Sequence, residues 1–246
     1  MFAVSVSPLL RQIPAVVCVL LFLNACTTPM KEAEYDNPDA DSLRKQLKEQ
    51  HVPSEARRLF TAAFQQGWRD QPEAAFVPAQ AEIYATGTAF HILAVLFDRD
   101  IGNRVDGFNQ LTLQSGDVFE IFLQFDASNY YEFHITPENN HLFLSWTTGS
   151  VSAFRSGLMP LETFTLKDRS ILESKTRIYD EGNYWTVYAR IPFDKIGFEP
   201  RHGVEIRLAF ARYDGFRDER PPVLSATPDF KVLDFHDLSA WHRIIF

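Results

Sequence analysis

From Pro78 to the C-terminus the chain is written as short apolar or alternating runs broken by turn residues, and this pattern restricts its fold more than any other feature. The runs occupy residues 81–86, 89–97, 117–125, 130–136, 141–146, 170–179, 183–191 and 204–213, with a closing run at 243–246. Their lengths and their period-two or continuous hydrophobicity are those of strands. Breaks such as Thr86-Gly87-Thr88, Ala127-Ser128-Asn129 and Asp180-Glu181-Gly182-Asn183 carry hairpin chemistry. No strand-helix-strand alternation supports a parallel sheet. The count and spacing predict an all-β fold, an antiparallel two-sheet β-sandwich of jelly-roll-like type. The 22 Phe and 8 Tyr supply the aromatic side chains that favour strands and a generous core.

Ahead of this region, Ser54 is followed by Leu59, Phe60, Ala63 and Phe64 at helical spacing. The pattern predicts a short N-terminal helix within a helical lead-in over 54–78, its apolar face on the domain. Residues 26–53 read as a polar tether, with Pro29, Pro38 and the acidic group Asp36, Asp39 and Asp41. Ser42 is placed to cap a short helix through Gln50, expected to be solvated all round.

The first residues carry Arg11 and then the apolar run 15–23, whose length fits a signal-peptide core better than a membrane span. The run ends in Leu23-Asn24-Ala25-Cys26, which resembles the bacterial lipobox. That resemblance implies a signal peptide over 1–25 and acylation of Cys26, so that a lipid in the membrane holds the protein. Thr27, in place of Asp, follows the cysteine, which by resemblance to the sorting rule of diderm bacteria implies the outer membrane. Cys18 lies in the discarded segment and Cys26 carries the lipid, so the mature chain has no disulfide.

Charge and motif content exclude several functions. A formal net charge of -8 leaves no basic surplus to displace phosphate counterions, so no nucleic-acid partner is expected. The seven His residues lack zinc-ligand spacing, and no nucleophile elbow, phosphate loop or Cys-His pair is present. Asp117 and Glu120 point to opposite faces of one strand and do not make an acid-base pair. The chain is therefore expected not to be an enzyme.

Four segments in order carry a family resemblance. They are Gly116-Asp-Val-Phe-Glu-Ile-Phe-Leu123, Asn129-Tyr-Tyr-Glu-Phe-His-Ile-Thr-Pro137, Trp185-Thr-Val-Tyr-Ala-Arg-Ile-Pro-Phe193, and Asp234-Phe-His-Asp237 with Trp241-His-Arg-Ile-Ile-Phe246. Together they resemble the carbohydrate-binding module family 9 and its DOMON-like relatives, over residues 79–246. The resemblance implies a two-sheet sandwich that binds an oligo- or polysaccharide without catalysis, in some relatives with structural calcium. Where relatives show Ser-Trp-x-Pro, this chain has Ser225-Ala226-Thr227-Pro228, so one stacking surface of the family is missing.

Sugar binding needs aromatic faces for C–H stacking and polar groups for the hydroxyls. Trp146, at a strand end, is the stacking candidate, against the alternative of a semi-exposed core indole. Trp185, in an alternating strand, reads as core; Trp68 and Trp241 are undecided. Arg212 and Asp214 suit a sugar hydroxyl pair or, alternatively, a surface ion pair. Glu120 alternates with Val118 and Phe122 and resembles one of the family's inward or rim-facing polar residues, against the alternative of a solvated face. Asp98 and Asp100 share a strand-end face that suits calcium, although acidic strand ends also occur in unliganded turns. Two other functions share the fold: an envelope scaffold that binds another protein, and a haem-binding electron-transfer module using Met159 with a partner such as His134.

Overall fold

The structure, a computed structural model, describes residues 40–215 and 220–246. The expected signal peptide over 1–25, Cys26 and the first part of the expected tether lie outside the described residues. Eleven strands and three short helices follow in the order α1 (Ala40–His51), β1 (Arg57–Ala63), β2 (Ala79–Ala85), β3 (Ala89–Phe97), β4 (Val118–Gln124), β5 (Asn129–Ile135), β6 (His141–Thr147), α2 (Ser150–Arg155), β7 (Glu173–Tyr179), β8 (Tyr184–Pro192), α3 (Phe193–Ile196), β9 (Glu205–Asp214), β10 (Val223–Ala226) and β11 (His242–Ile245). All strand pairings among them are antiparallel. One sheet has the order β1-β2-β3-β8-β7 and the other β10-β9-β4-β5-β6, with β11 also paired to β9. This is the expected all-β sandwich.

Alternation along each strand sends one set of side chains between the sheets. Ile83, Phe90, Ile92, Phe119, Ile121, Phe133, Trp185 and Phe210 meet there in the main core. The outer faces are covered as well. Leu93, Val95 and Tyr84 pack beneath α1, while Phe122, Leu144, Trp146 and Ala211 pack beneath Phe230, Phe235 and Trp241. Burial on both faces explains why β3 and β4 read as nearly continuous apolar runs.

The short N-terminal helix is present but displaced from its predicted position. Residues 54–78 are not a helical lead-in: 57–63 form β1, paired to β2 with a register shift between Arg58 and Phe60. A bulge lets Leu59 and Phe60, adjacent in sequence, both pack on the main core, a pairing that imitates helical spacing. An isolated helix of this length is marginal, whereas the open edge of β2 supplies a full ladder of hydrogen bonds. The helix forms instead at 40–51, within the supposed tether. It is not solvated all round: Leu47 is buried and Leu43 packs beside it on the outer-face cluster of β3. Asp41 in its first turn and Lys48 and His51 in its last complement the helix dipole.

One half-buried histidine makes stability depend on pH. His141 Nε2 lies 2.6 Å from Ser174 Oγ, which donates to Asn139 Oδ1, so the imidazole donates its Nε2–H to the serine. Burial, reinforced by the nearby Arg169 charge, lowers its pKa to about 4. The unfolded chain therefore binds this proton more tightly, and stability falls as pH drops from about 6.5 toward 4. Between pH 7 and pH 5, urea unfolding is expected to show the wild type losing about 1–2 kcal/mol more than His141→Gln. Equal losses in the two proteins would place the titration elsewhere.

Candidate functional site

The outer face of the six-stranded sheet carries a polar group that its apolar surroundings isolate. On β4, Glu120 pairs across to His134 of β5 and to Ala211 of β9. Alternation along β5 adds Glu132 and Tyr130 to the same face. Residues 228–241 cover this face, and between that cover and the sheet lies a pocket of about 190 Å³. Its polar lining comes from Glu120, Glu132, Arg155, Tyr213, Asp234 and His236. Phe122 and Phe235 supply apolar wall.

His134 is the hub of this group. Its Nε2 lies 2.6 Å from Glu132 Oε1 and 3.1 Å from Glu120 Oε1, and its Nδ1 lies 2.7 Å from Thr112 Oγ1. Glu132 Oε2 accepts a 2.5 Å hydrogen bond from Trp146 Nε1 and lies 3.8 Å from His236 Nε2. His236 is fixed through its Nδ1, 2.7 Å from Tyr130 Oη. Arg155 donates to Asp234 at 2.8 Å over the pocket.

The two glutamates are driven apart in acidity. Burial pushes Glu120 up to about 8, with the Glu132 charge adding to the effect and His134 opposing it. Burial also works to raise Glu132, but the His236 and His134 charges and the bonds from His134 and Trp146 hold it below the usual carboxylate range. The two carboxylates, led by Glu120, raise the His134 imidazole against its burial. Burial lowers His236. Glu120 Oε2 is buried with no hydrogen-bond partner among the described residues.

The residues singled out from the sequence separate into two places. Glu120 is buried and lines the pocket, which agrees with the inward-facing alternative and not with a solvated face. Trp146 is near it but is not a projecting platform. It is 2% exposed, with Phe164 at 4.4 Å and Phe154 at 5.6 Å between ring centroids. Both phenylalanines come from the segment after β6, which folds back over the indole that the strand end was expected to present. Trp185 and Trp241 are buried and Trp68 is half-buried. Ala226, opposite Ala211, lies buried beneath the covering segment.

Arg212 and Asp214 point the other way, toward the space between the sheets. Arg212, 1% exposed, donates to Asp98 Oδ2 at 2.8 Å, with Asp214 Oδ2 at 3.4 Å. They form neither a sugar-facing pair nor a surface ion pair but a buried one. Nearby, Asp117 accepts from Gly102 N at 2.7 Å and from Gly215 N at 2.9 Å, fastening two loops together. Burial and the Asp98 charge raise Asp117, and burial raises Asp214 to about 7 against the pull of Arg212. Asp98, Asp100 and Asp214 do converge within 4.8 Å. A calcium ion there would compete with the Arg212 guanidinium, which donates to Asp98 Oδ2, and with the Asp100 N–H, which donates to Asp98 Oδ1.

A haem does not fit. Met159 packs on the apolar cluster of the covered face, and the pocket beside His134 is smaller than the range of about 300–1,000 Å³ typical of drug-sized ligands. The alternation in 130–134 contained a signal for Glu132 and His134. No sequence signal placed Arg155, Asp234 or His236 beside them, since they come from segments distant in the chain.

The class of protein thus defined is an antiparallel sandwich with a small, charged pocket on the covered outer face of one sheet. A crystal structure from Bacteroides uniformis, of a protein whose carbohydrate-binding role is itself a proposal, has the same fold: TM-score 0.57, 13% identity, 84% of this chain and 91% of the other covered. Two structures of a carbohydrate-binding module of family 9 from Caldicellulosiruptor kristjanssonii are also similar. The glucose complex has 16% identity, covers 70% and 78% of the two chains, and has a TM-score of 0.48. The cellotriose complex has 15% identity, covers 85% and 87%, and has a TM-score of 0.48. No protein-family model matches this chain, and no curated protein matches it in sequence.

Proposed function

We propose that this protein binds carbohydrate without catalysis, taking a single sugar unit or chain end into the pocket while the lipid on Cys26 holds it to the outer membrane. The observation that carries this reading is the convergence of Glu120, Glu132, Arg155, Asp234 and His236 on a pocket of about 190 Å³ walled by Phe122 and Phe235. Carboxylates accept from sugar hydroxyls, guanidinium and imidazole donate to them, and the aromatic edges meet C–H groups. The small volume suits one ring and not a chain lying along an open groove. The fold shared with the Bacteroides uniformis protein supports the class. The anchor rests on Leu23-Asn24-Ala25-Cys26 and its apolar lead-in.

The test uses the full chain made in a diderm host, extracted with detergent and titrated calorimetrically with a panel of mono- and oligosaccharides. A saccharide is expected to bind, about tenfold weaker or more in Arg155→Met with unchanged melting, and Cys26→Ser is expected to leave the membrane fraction. A folded protein that binds no saccharide would overturn the carbohydrate reading. The envelope scaffold would then take its place, a reading favoured by Leu158 and Val232, which are 79% and 75% exposed on the segments around the pocket.

A further inference from the structure

Glu120, Glu132 and His134 form an arrangement that saccharide binding does not require. Their ligand atoms lie within 4.8 Å of one another, and all three side chains are buried. A single imidazole Nε2 faces two carboxylate oxygens, at 2.6 Å and 3.1 Å, yet it has at most one hydrogen to give. If Nδ1–H donates to Thr112 Oγ1, 2.7 Å away, Nε2 presents a lone pair beside two further lone-pair donors.

Two carboxylates buried this closely repel unless a proton or a cation lies between them. Glu120 Oε2, unpartnered among the described residues, belongs to a side chain that lines the pocket, so the cluster opens on a space able to admit an ion with its waters. The surroundings resemble the outer sphere that holds metal ligands in place. Thr112 orients His134, and Trp146 fixes the second oxygen of Glu132. The aliphatic and aromatic shell around the group excludes bulk solvent.

We propose that Glu120, Glu132 and His134 bind one divalent first-row transition-metal ion, with the pocket providing its open coordination positions. One nitrogen and two oxygens are a donor set for zinc, cobalt, manganese or iron, and three protein ligands beside a cavity make an open site rather than a closed structural one. The site takes its ligands from two adjacent strands, β4 and β5, whose register sets Glu120 directly opposite His134. It goes beyond the saccharide reading and does not depend on it.

The experiment strips the full chain in detergent with a chelator, then titrates it with Zn²⁺ by calorimetry and with Co²⁺ by visible absorption. One ion per chain is expected, with cobalt d–d bands that report nitrogen and oxygen ligation. In Glu120→Gln the affinity is expected to fall by about 100-fold or more. Glutamine keeps the shape at Glu120, whose Oε2 makes no bond among the described residues, and circular dichroism with a thermal melt verifies folding. The exposed Glu173→Gln serves as a control expected to bind as the wild type does. The wild-type titration stands by itself should Glu120→Gln fail to fold. No stoichiometric ion in the folded wild type, or undiminished binding in folded Glu120→Gln, would overturn the proposal. Saccharide titrations with and without chelator separate the two readings: saccharide binding without metal binding overturns this one alone, and metal binding without any saccharide overturns the other alone.

Discussion

Replacing Arg212 by methionine is expected to cost about 3–5 kcal/mol of stability, because it removes one partner of a buried ionic group and strands the other. Arg212 is the cation among Asp98, Asp214 and Asp117, which lie on the ends of β3 and β9 and in the loop before β4. Without it, Asp98 loses its 2.8 Å donor while staying out of water, and it repels the carboxylates beside it. A loss of that size is a large share of the roughly 5–15 kcal/mol that holds a typical domain folded. Urea unfolding of Arg212→Met and of Arg212→Met with Asp98→Asn tests the cause. If stranded charge is responsible, the double variant recovers stability relative to the single. A single variant within about 0.5 kcal/mol of wild type would show that the group contributes nothing net.

Trp146→Ala is expected to destabilise by a similar amount, about 3–5 kcal/mol, through loss of buried aromatic volume. The indole lies between Phe154 and Phe164 on one side and His236 on another, and its Nε1 donates to Glu132. Truncation therefore leaves a cavity and removes a donor from a buried carboxylate in one step. Trp146→Phe divides the two contributions, since it keeps most of the ring packing and loses the hydrogen bond, for about 1–3 kcal/mol. Thermal melts of the three proteins check the ordering. A Trp146→Ala protein that melts like wild type would return the indole to the surface, the stacking position that the sequence reading weighed against a semi-exposed core indole. Loss of ligand binding in Trp146→Ala cannot locate a stacking platform, because it coincides with loss of the shell that positions Glu132.

These two residues also mark where sequence reading and structure part. Arg212 and Asp214, spaced by two on a strand end, do pair, but inside the protein and not toward a sugar or the surface. Period-two alternation reports that residues lie together, and the identity of the face depends on what the other sheet offers, here Asp98. Trp146 was placed correctly at the end of β6, but its exposure was decided by 150–165 folding back over it. Leu59 and Phe60 imitated a helix because a bulge in an edge strand brings neighbouring side chains to one side.

The local pattern determined the strands β2 to β9 and β11, but not β1 or β10, because period and turn chemistry are properties of a few adjacent residues. The expectation of a leader and an acylated Cys26 likewise rests on contiguous residues alone. The pocket was decided only by tertiary structure. Glu120 and His134 meet through the β4–β5 register, Arg155 joins them from the end of α2, and Asp234 and His236 from the covering segment near the C-terminus, whose paths no local periodicity encodes. Burial then assigned the chemistry: the same glutamates in water would be ordinary carboxylates, and enclosure beside one imidazole makes them a site.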